Sequence, residues 1–265
     1  MMSTTGLFFS FAATGTLGGL LSGLFGAGCG IFLVPALLYL LPHAGVQPEA
    51  LMHVASGTSL AILMTICVTN TLAHRQQGNF IKPLVARITP LCCIGAIIGA
   101  TLADFIEGDL LKILFQVILL LIAASLLIKN PTARRLASSK YWPVSIFAGF
   151  LALLTSMVGI GISQLLIPIL NRAGLPMNKA IATSACSAIP YTIIGATSYI
   201  ILGLDEALPS HHLGYLNAPA FFSVSLFAIY FTQLGAKFNK YLSEKFVQIG
   251  FALLLCTASL CMFFQ

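Results

Sequence analysis

Long stretches without a charged side chain are the feature of this sequence that most constrains its fold. No Asp, Glu, Lys or Arg occurs before Glu49, and further uncharged runs span 50–74, 88–103, 113–128, 141–171, 180–204, 207–236 and 246–265. A helix needs about 20 apolar residues to cross roughly 30 Å of bilayer hydrocarbon. Only 8% of the 265 residues are charged, against about 25% in soluble domains. The sequence therefore predicts an all-α integral membrane protein that crosses the bilayer many times.

Net charge and cysteine content exclude several other classes. A net charge of +6 would suggest a nucleic-acid partner in a soluble protein, but here it indicates cytoplasmic loops rich in Lys and Arg, so no nucleic-acid partner is expected. The N-terminus has no basic segment, which argues against a cleaved signal peptide. The seven cysteines lie in apolar segments without metal-ligand spacing, so neither a metal nor a cofactor is predicted. A membrane-embedded enzyme is disfavoured because no nucleophile–base pair is apparent.

The chain contains two copies of one unit. The segment 26–30 (GAGCG), followed by Pro35, returns 133 residues later as 159–163 (GIGIS), followed by Pro168. Two further matches follow in the same order: Met52, Ala55, Thr58 and Ser59 with Met177, Ala180, Thr183 and Ser184, and Gly99-Ala100 with Gly235-Ala236. We therefore expect a first membrane repeat at 1–132 and a second at 133–265, which together form one transport domain.

Each copy is predicted to contain five helical elements. The predicted ranges are roughly 6–25, 30–41, 51–73, 84–103 and 110–129, then 142–158, 162–171, 178–203, 215–237 and 245–264. The second element of each copy has only about 10–12 residues, which at 1.5 Å per residue spans about half a bilayer. A glycine-rich break precedes it. We expect each copy to open with a broken or re-entrant helix hairpin whose tip lies deep in the membrane.

Loop charge predicts that the two copies have opposite orientations. All basic residues except Lys112 fall in four loops that can share the cytoplasmic side. The opening hairpin of the second copy then enters from the cytoplasm, whereas that of the first copy enters from outside. Inverted repeats with broken helices are typical of secondary transporters, which bind substrate near the midplane. We expect a bacterial cytoplasmic (inner) membrane protein with both termini outside the cytoplasm.

The glycine-rich tips are the candidate substrate site. Each tip is followed by a short helix, whose first N–H groups are unpaired and whose dipole end is positive. Two such ends that meet from opposite sides would bind an anion. The candidate residues are Gly26, Gly28, Cys29 and Gly30 in the first copy, and Gly159, Gly161, Ile162, Ser163 and Gln164 in the second. The alternative is that these glycines only allow helices to pack closely.

Repeated hydroxyl pairs extend the candidate site. Thr58-Ser59 and Thr183-Ser184 occupy equivalent positions and could hold an oxyanion by neutral hydrogen bonds. The alternative is that they bond to the preceding turn of their own helix. No Asp, Glu, Lys or Arg falls at a predicted midplane, so no proton relay is visible. His53 is expected at the membrane interface, and the loop histidines at 211 and 212 are expected to be solvated.

These motifs resemble those of a known transporter family. The segment 19–38 (GLLSGLFGAGCGIFLVPALL) resembles the first motif of the TauE/SafE sulfite exporter family, and 53–62 (HVASGTSLAI) resembles the family's next segment. The second copy, from Gly149 to Asn217, is similar too, so the resemblance covers nearly the whole chain. It implies export or uptake of small sulfur-containing anions such as sulfite, sulfonates and sulfoacetate. Cys29 interrupts the family's usual glycine run, and the second motif keeps only Gly159 and Gly161.

The sequence thus predicts a secondary carrier that exports small sulfur-containing oxyanions by alternating access. The alternatives are an anion channel, or an uptake carrier coupled to H⁺ or Na⁺. The expected partners are the small-molecule anion and membrane lipid, and a homo-oligomer is compatible with the sequence.

Overall fold

The computed structural model describes residues 3–25, 29–75, 80–127, 141–206, 208–239 and 250. Its helices are α1 (Thr4–Phe25), α2 (Gly30–Leu40), α3 (Pro48–Arg75), α4 (Lys82–Asp104), α5 (Gly108–Leu127), α6 (Tyr141–Met157), α7 (Ser163–Arg172), α8 (Met177–Leu202) and α9 (Ala218–Asn239). A 3₁₀ turn, Leu41–Ala44, follows α2. A small antiparallel hairpin, β1 (His212–Leu213) and β2 (Leu216–Asn217), lies between α8 and α9. The predicted element 245–264 lies outside the described residues, apart from residue 250.

The helix bounds follow the sequence prediction to within a few residues, and the exceptions have local causes. The predicted element at 215–237 begins instead at Ala218, because the residues before it pair as a hairpin. The 3₁₀ turn ends at Gly45, whose φ of +87° is left-handed. Glycine adopts that conformation without a Cβ penalty. Neither feature has a hydrophobic period from which it could have been predicted.

Five of these helices are long and apolar enough to span a membrane. They are Thr5–Phe25, Pro48–Leu72, Lys82–Asp104, Lys179–Leu202 and Ala218–Phe238. The apolar α2 and α7 are much shorter, at 11 and 10 residues, as expected for elements that cross only part of a bilayer. α3 is the central helix, since 83% of its apolar window is buried, against 39–44% for the other four.

Helices of the two halves pack against each other rather than separately. α1 packs against α9, α6 packs against α4, and the central helix α3 packs against α8. Glycines allow these close approaches: a Cβ at Gly19 on α1 would lie 2.6 Å from the Ala228 oxygen on α9, and Gly95 on α4 faces the Gly149 oxygen on α6. Small residues at such crossings are typical of helix association in membranes.

Equivalent residues of the two halves make equivalent contacts. In each half, a glycine of the fourth helix packs against the C-terminal part of the first helix of the other half. These contacts join Gly99 to Leu153 and Ser156, and Gly235 to Leu20 and Gly23. The contacted residues are related by 133 positions, which is the spacing of the repeated glycine motif.

Two histidines lie in surroundings different from those expected. His53 is buried, with 6% of its surface exposed, rather than interfacial. Its Nε2 lies 3.0 Å from the Ala103 oxygen, and its ring stacks on Tyr215 at 5.2 Å between centroids. His212 is not fully solvated either, because it is hydrogen-bonded within the hairpin. In both cases the partners come from distant parts of the chain or from a hairpin that the sequence did not predict.

Candidate functional site

The start of α2 meets the break between α6 and α7 in the interior of the described structure. A Cβ at Gly30, the first residue of α2, would lie 3.1 Å from the Gly161 nitrogen and 3.2 Å from the Ile160 Cα. Leu63 of α3 contacts both glycines and closes one side of the junction. The two short helices therefore begin at the same place, approached from different halves of the chain.

Backbone carbonyls around the second break are engaged by nearby donors. The Ser59 hydroxyl of α3 donates to the Gly159 oxygen at 2.9 Å, and the Tyr191 hydroxyl of α8 donates to the Ile160 oxygen at 2.9 Å. The Tyr199 hydroxyl donates to the oxygens of Ser156 and Met157 at 3.1 and 2.9 Å. These acceptors at the break are thus satisfied by α3 and α8.

The N–H groups of the same segment remain available. α7 begins at Ser163, so its first N–H groups have no partner one turn earlier. Among the described residues, no hydrogen bond reaches the backbone N–H of Gly161, Ile162 or Ser163. The Ser163 hydroxyl, 1% exposed, has no oxygen or nitrogen partner there, and its polar neighbour is the Cys67 thiol, a weak partner. Satisfied carbonyls beside available donors give the junction the polarity that favours an anion.

Backbone conformation separates the roles of the two second-copy glycines. Gly159 has a φ of +71°, and a Cβ there would lie 2.5 Å from the Ser56 Cα on α3. At Gly161 the nearest atom to an added Cβ would be Leu63 Cδ1, at an ordinary 3.4 Å. The turn itself therefore requires glycine at 159, whereas glycine at 161 leaves space beside the available N–H groups.

The other predicted site residues are divided between the junction and more distant contacts. Cys29 precedes α2 and is buried, as are Ile162 and Gln164 at the start of α7. The Ser184 hydroxyl donates to the Ala180 oxygen of its own helix at 2.7 Å. Gly26 and Gly28 lie outside the described residues, so their placement stays a prediction.

The predicted threonines form a matched pair of contacts at the starts of other helices. Thr58 Oγ1 accepts the N–H of Asn217 at 3.0 Å, immediately before α9. Thr183 Oγ1 accepts the N–H of Ile81 at 3.3 Å, immediately before α4. Each threonine thus ties the third helix of one half to the fourth helix of the other half, at equivalent positions of the repeat.

Tyr191 and Tyr199 are the site residues that the sequence prediction missed. Both are fully buried on α8, and Tyr191 also lies 3.0 Å from the Thr155 hydroxyl of α6. A tyrosine in an apolar helix is usually placed at an interface or in a core, so the sequence carried no specific signal. A buried phenol nevertheless needs a hydrogen-bond partner, and a helix break elsewhere in the chain supplies unpaired carbonyls.

The sequence matches a known protein family along most of its length. Residues 11–262 match the family described as sulfite exporter TauE/SafE. The chain belongs to the TauE/SafE family. The match includes both helix breaks and the central helices α3 and α8, as the sequence resemblance had indicated.

Curated relatives agree with this assignment along most of the chain. A probable membrane transporter protein of Haemophilus influenzae is 28% identical over 253 residues, covering 95% of this chain and 96% of the relative. Probable membrane transporter proteins of Methanocaldococcus jannaschii (MJ0441) and Bacillus subtilis (YdhB) are each 27% identical, covering 89% and 71% of this chain and 87% and 77% of the relatives. No solved structure matches the chain. With its apolar helices, the TauE/SafE chain is a multi-pass membrane transporter.

Proposed function

We propose that this TauE/SafE protein is a secondary carrier of small sulfur-containing oxyanions, of the sulfite, sulfonate or sulfoacetate type, that exports them across the cytoplasmic membrane. The observation that carries this proposal is the junction of Gly30 with Ile160 and Gly161, where two short helices begin beside available N–H groups. Neutral N–H and O–H donors can hold an oxyanion without a second buried charge. The family description, which names sulfite, supports this ligand class.

Alternating access is supported by the matched contacts of the two halves. An inverted pair of repeats would rock about the junction, opening it first to one side and then to the other. The equivalent glycine contacts of α4 with α6 and of α9 with α1 are those expected for such a pair. In this arrangement both termini face outside the cytoplasm, and the repeats meet at the site near the middle of the membrane.

Transport by purified protein in liposomes tests the function directly. We expect flux of labelled sulfite or sulfoacetate that saturates and that is accelerated by unlabelled anion on the opposite side. Both properties follow from a site that faces one side at a time. Flux that neither saturates nor shows counter-exchange would instead indicate an anion channel.

The substitution Gly161→Ala tests the proposed site. The added Cβ fits the structure, with its nearest neighbour at 3.4 Å, but it occupies space beside the N–H groups offered to the anion. We expect the variant to assemble normally and its KM for the anion to rise about tenfold. A change of that size corresponds to the loss of roughly one hydrogen bond. Gly108→Ala is the matched control, since its added Cβ also has no neighbour closer than 3.4 Å and lies at the start of α5. Unchanged kinetics for Gly161→Ala and for the bulkier Gly161→Val would place the site elsewhere.

A further inference from the structure

The hairpin between α8 and α9 contains a hydrogen-bond chain with a defined direction. His212 Nδ1 lies 3.0 Å from the Pro209 carbonyl oxygen, which can only accept, so Nδ1 carries the hydrogen. His212 Nε2 lies 2.9 Å from Asn217 Nδ2, and Asn217 Oδ1 accepts the N–H of Ala220 at 2.8 Å. The amide group must therefore donate to Nε2, which requires the neutral form of the histidine.

This chain cannot accommodate a second proton on His212. A proton on Nε2 would place an N–H donor against the NH₂ group of Asn217. Rotating the Asn217 amide would restore that contact, but it would turn Nδ2 toward the N–H of Ala220 and remove the cap of α9. Protonation thus breaks either the hairpin bond or the helix cap.

The charged surroundings of the hairpin do not stabilise the protonated form. The other titratable side chains nearby are His53, Asp104, Tyr199 and Glu206, and they act on Tyr215 rather than on His212. The titratable group that acts on His212 is His211, and a positive charge on His211 would repel a positive charge on His212. Burial lowers the pKa of His212 below its ordinary value; the hydrogen bond to the Pro209 carbonyl opposes this shift in part, and His211 adds to it. Burial together with Asp104 and Glu206 raises the pKa of Tyr215, whose hydroxyl stays a donor to Asp104.

The hairpin is connected to the candidate site through two consecutive residues of α3. The N–H of Asn217, itself only 2% exposed, donates to Thr58, and the next residue, Ser59, holds the Gly159 oxygen of the second break. The equivalent contact of the other half, from Ile81 to Thr183, follows a segment, 76–80, that contains no titratable residue. One of the two matched contacts therefore has a titratable side chain bonded directly to its donor residue, because His212 bonds to Asn217.

We propose that the hairpin is an acid-released latch: protonation of His212 separates it from Asn217, frees Thr58, and opens the transport pathway on the hairpin's side of the membrane. The latch regulates the proposed carrier and in that sense rests on its proposed function. Because the latched state binds the proton more weakly than the released state, the latch is intact above about pH 6.5. It weakens as the pH falls below that value, by at most about tenfold in population per pH unit.

Hydrogen exchange measures the latch without reference to transport. We expect the backbone N–H groups of Asn217 and Ala220 to lose protection between pH 7.5 and 5.5, after correction for intrinsic exchange rates. His212→Gln, which offers a neutral acceptor to Asn217, should remove this pH dependence. His211→Asn is the matched control, because His211 is the exposed neighbouring histidine and Asn tolerates its φ of +78°. It should keep the acid response, with a midpoint at or above the wild-type value, because His211 no longer opposes protonation of His212.

The substitution Asn217→Asp should invert the response. One carboxylate oxygen still accepts from Ala220, and the other now accepts from protonated His212, so protection should rise as the pH falls. An unaltered acid response in His212→Gln, or the lack of inversion in Asn217→Asp, would overturn the latch.

Flux of methanesulfonate, whose charge is constant over this pH range, links the latch to transport. Acidifying the hairpin's side from pH 7.5 to 5.5 should raise the exchange rate several-fold in the wild type and in His211→Asn, but not in His212→Gln. A flux equally sensitive to pH in all three proteins would overturn the regulatory role. An acid-sensitive latch in a protein that carries no sulfite, sulfoacetate or methanesulfonate would support the latch and reject the proposed function.

Discussion

At the scale of single residues, glycines that look alike in the sequence have different roles. Gly159 has a left-handed φ of +71° and lies against Ser56, so the backbone turn itself requires it. Gly161, two residues later, has room for a Cβ. The first is needed to form the break between α6 and α7, whereas the second keeps space beside unpaired N–H groups. A substitution at Gly159 should therefore lower stability, whereas a substitution at Gly161 should lower transport without lowering stability.

The substitution Gly159→Ala is expected to destabilise the protein. A left-handed conformation costs a non-glycine residue about 1–2 kcal/mol, and the added Cβ would lie 2.5 Å from Ser56 Cα. We expect a lower Tm of the purified protein in detergent and less assembled protein in the membrane. Gly161→Ala serves as the control and should retain the wild-type Tm. Equal Tm values for wild type and Gly159→Ala would mean that the break does not need glycine at this position.

At the scale of elements, the starts of α4 and α9 are held in the same way. Each is preceded by a residue whose N–H donates to a threonine of a central helix, Ile81 to Thr183 and Asn217 to Thr58. The two contacts differ in burial, because Asn217 is buried and Ile81 is half-buried. Water can replace a lost partner for Ile81 but not for Asn217.

Replacing each threonine by valine tests this difference. The change removes the acceptor and leaves an N–H unpaired, which costs about 1–3 kcal/mol when the group is buried. We therefore expect Thr58→Val to lower the Tm more than Thr183→Val, measured by thermal unfolding in the same detergent. A larger effect of Thr183→Val would show that burial at these helix starts does not determine the strength of the contacts.

At the scale of the whole molecule, the interior formed by the described residues excludes charge. Among the described residues, the buried polar side chains are hydroxyls, amides and His53, and none is Asp, Glu, Lys or Arg. An anion held by such groups carries its own charge across the membrane. The membrane potential then acts directly on the transported ion, at about 2.3 kcal/mol per charge per 100 mV.

Anion flux is therefore expected to follow the membrane potential. Because the cytoplasm is electrically negative, an anion leaves it downhill, so export is the expected net direction. Proteoliposomes with an imposed potential, and without pH or Na⁺ gradients, should show net anion movement toward the positive side. If flux ignores the potential and follows a proton or Na⁺ gradient, the carrier is coupled and an ion site must exist. Acid on the hairpin's side should change the rate but not the direction.

Patterns along the chain determined the class of protein and its helices. Uncharged runs determine which segments can enter a bilayer, and the glycine motifs indicated the one short helix that follows each of them. These properties are local, since hydropathy and helix breaking depend on neighbouring residues. The family resemblance, carried by the same motifs, was confirmed.

The tertiary structure alone decided which polar groups meet. Ser59 reaches Gly159 across 100 residues, and Thr58 reaches Asn217 across 159. A hydroxyl in an apolar helix has the same local sequence signature whether it bonds to its own helix, as Ser184 does, or to a distant backbone group. Packing of α3 against α8 and α9 selects between these outcomes, because burial leaves each polar group only the partners that the neighbouring helices bring to it.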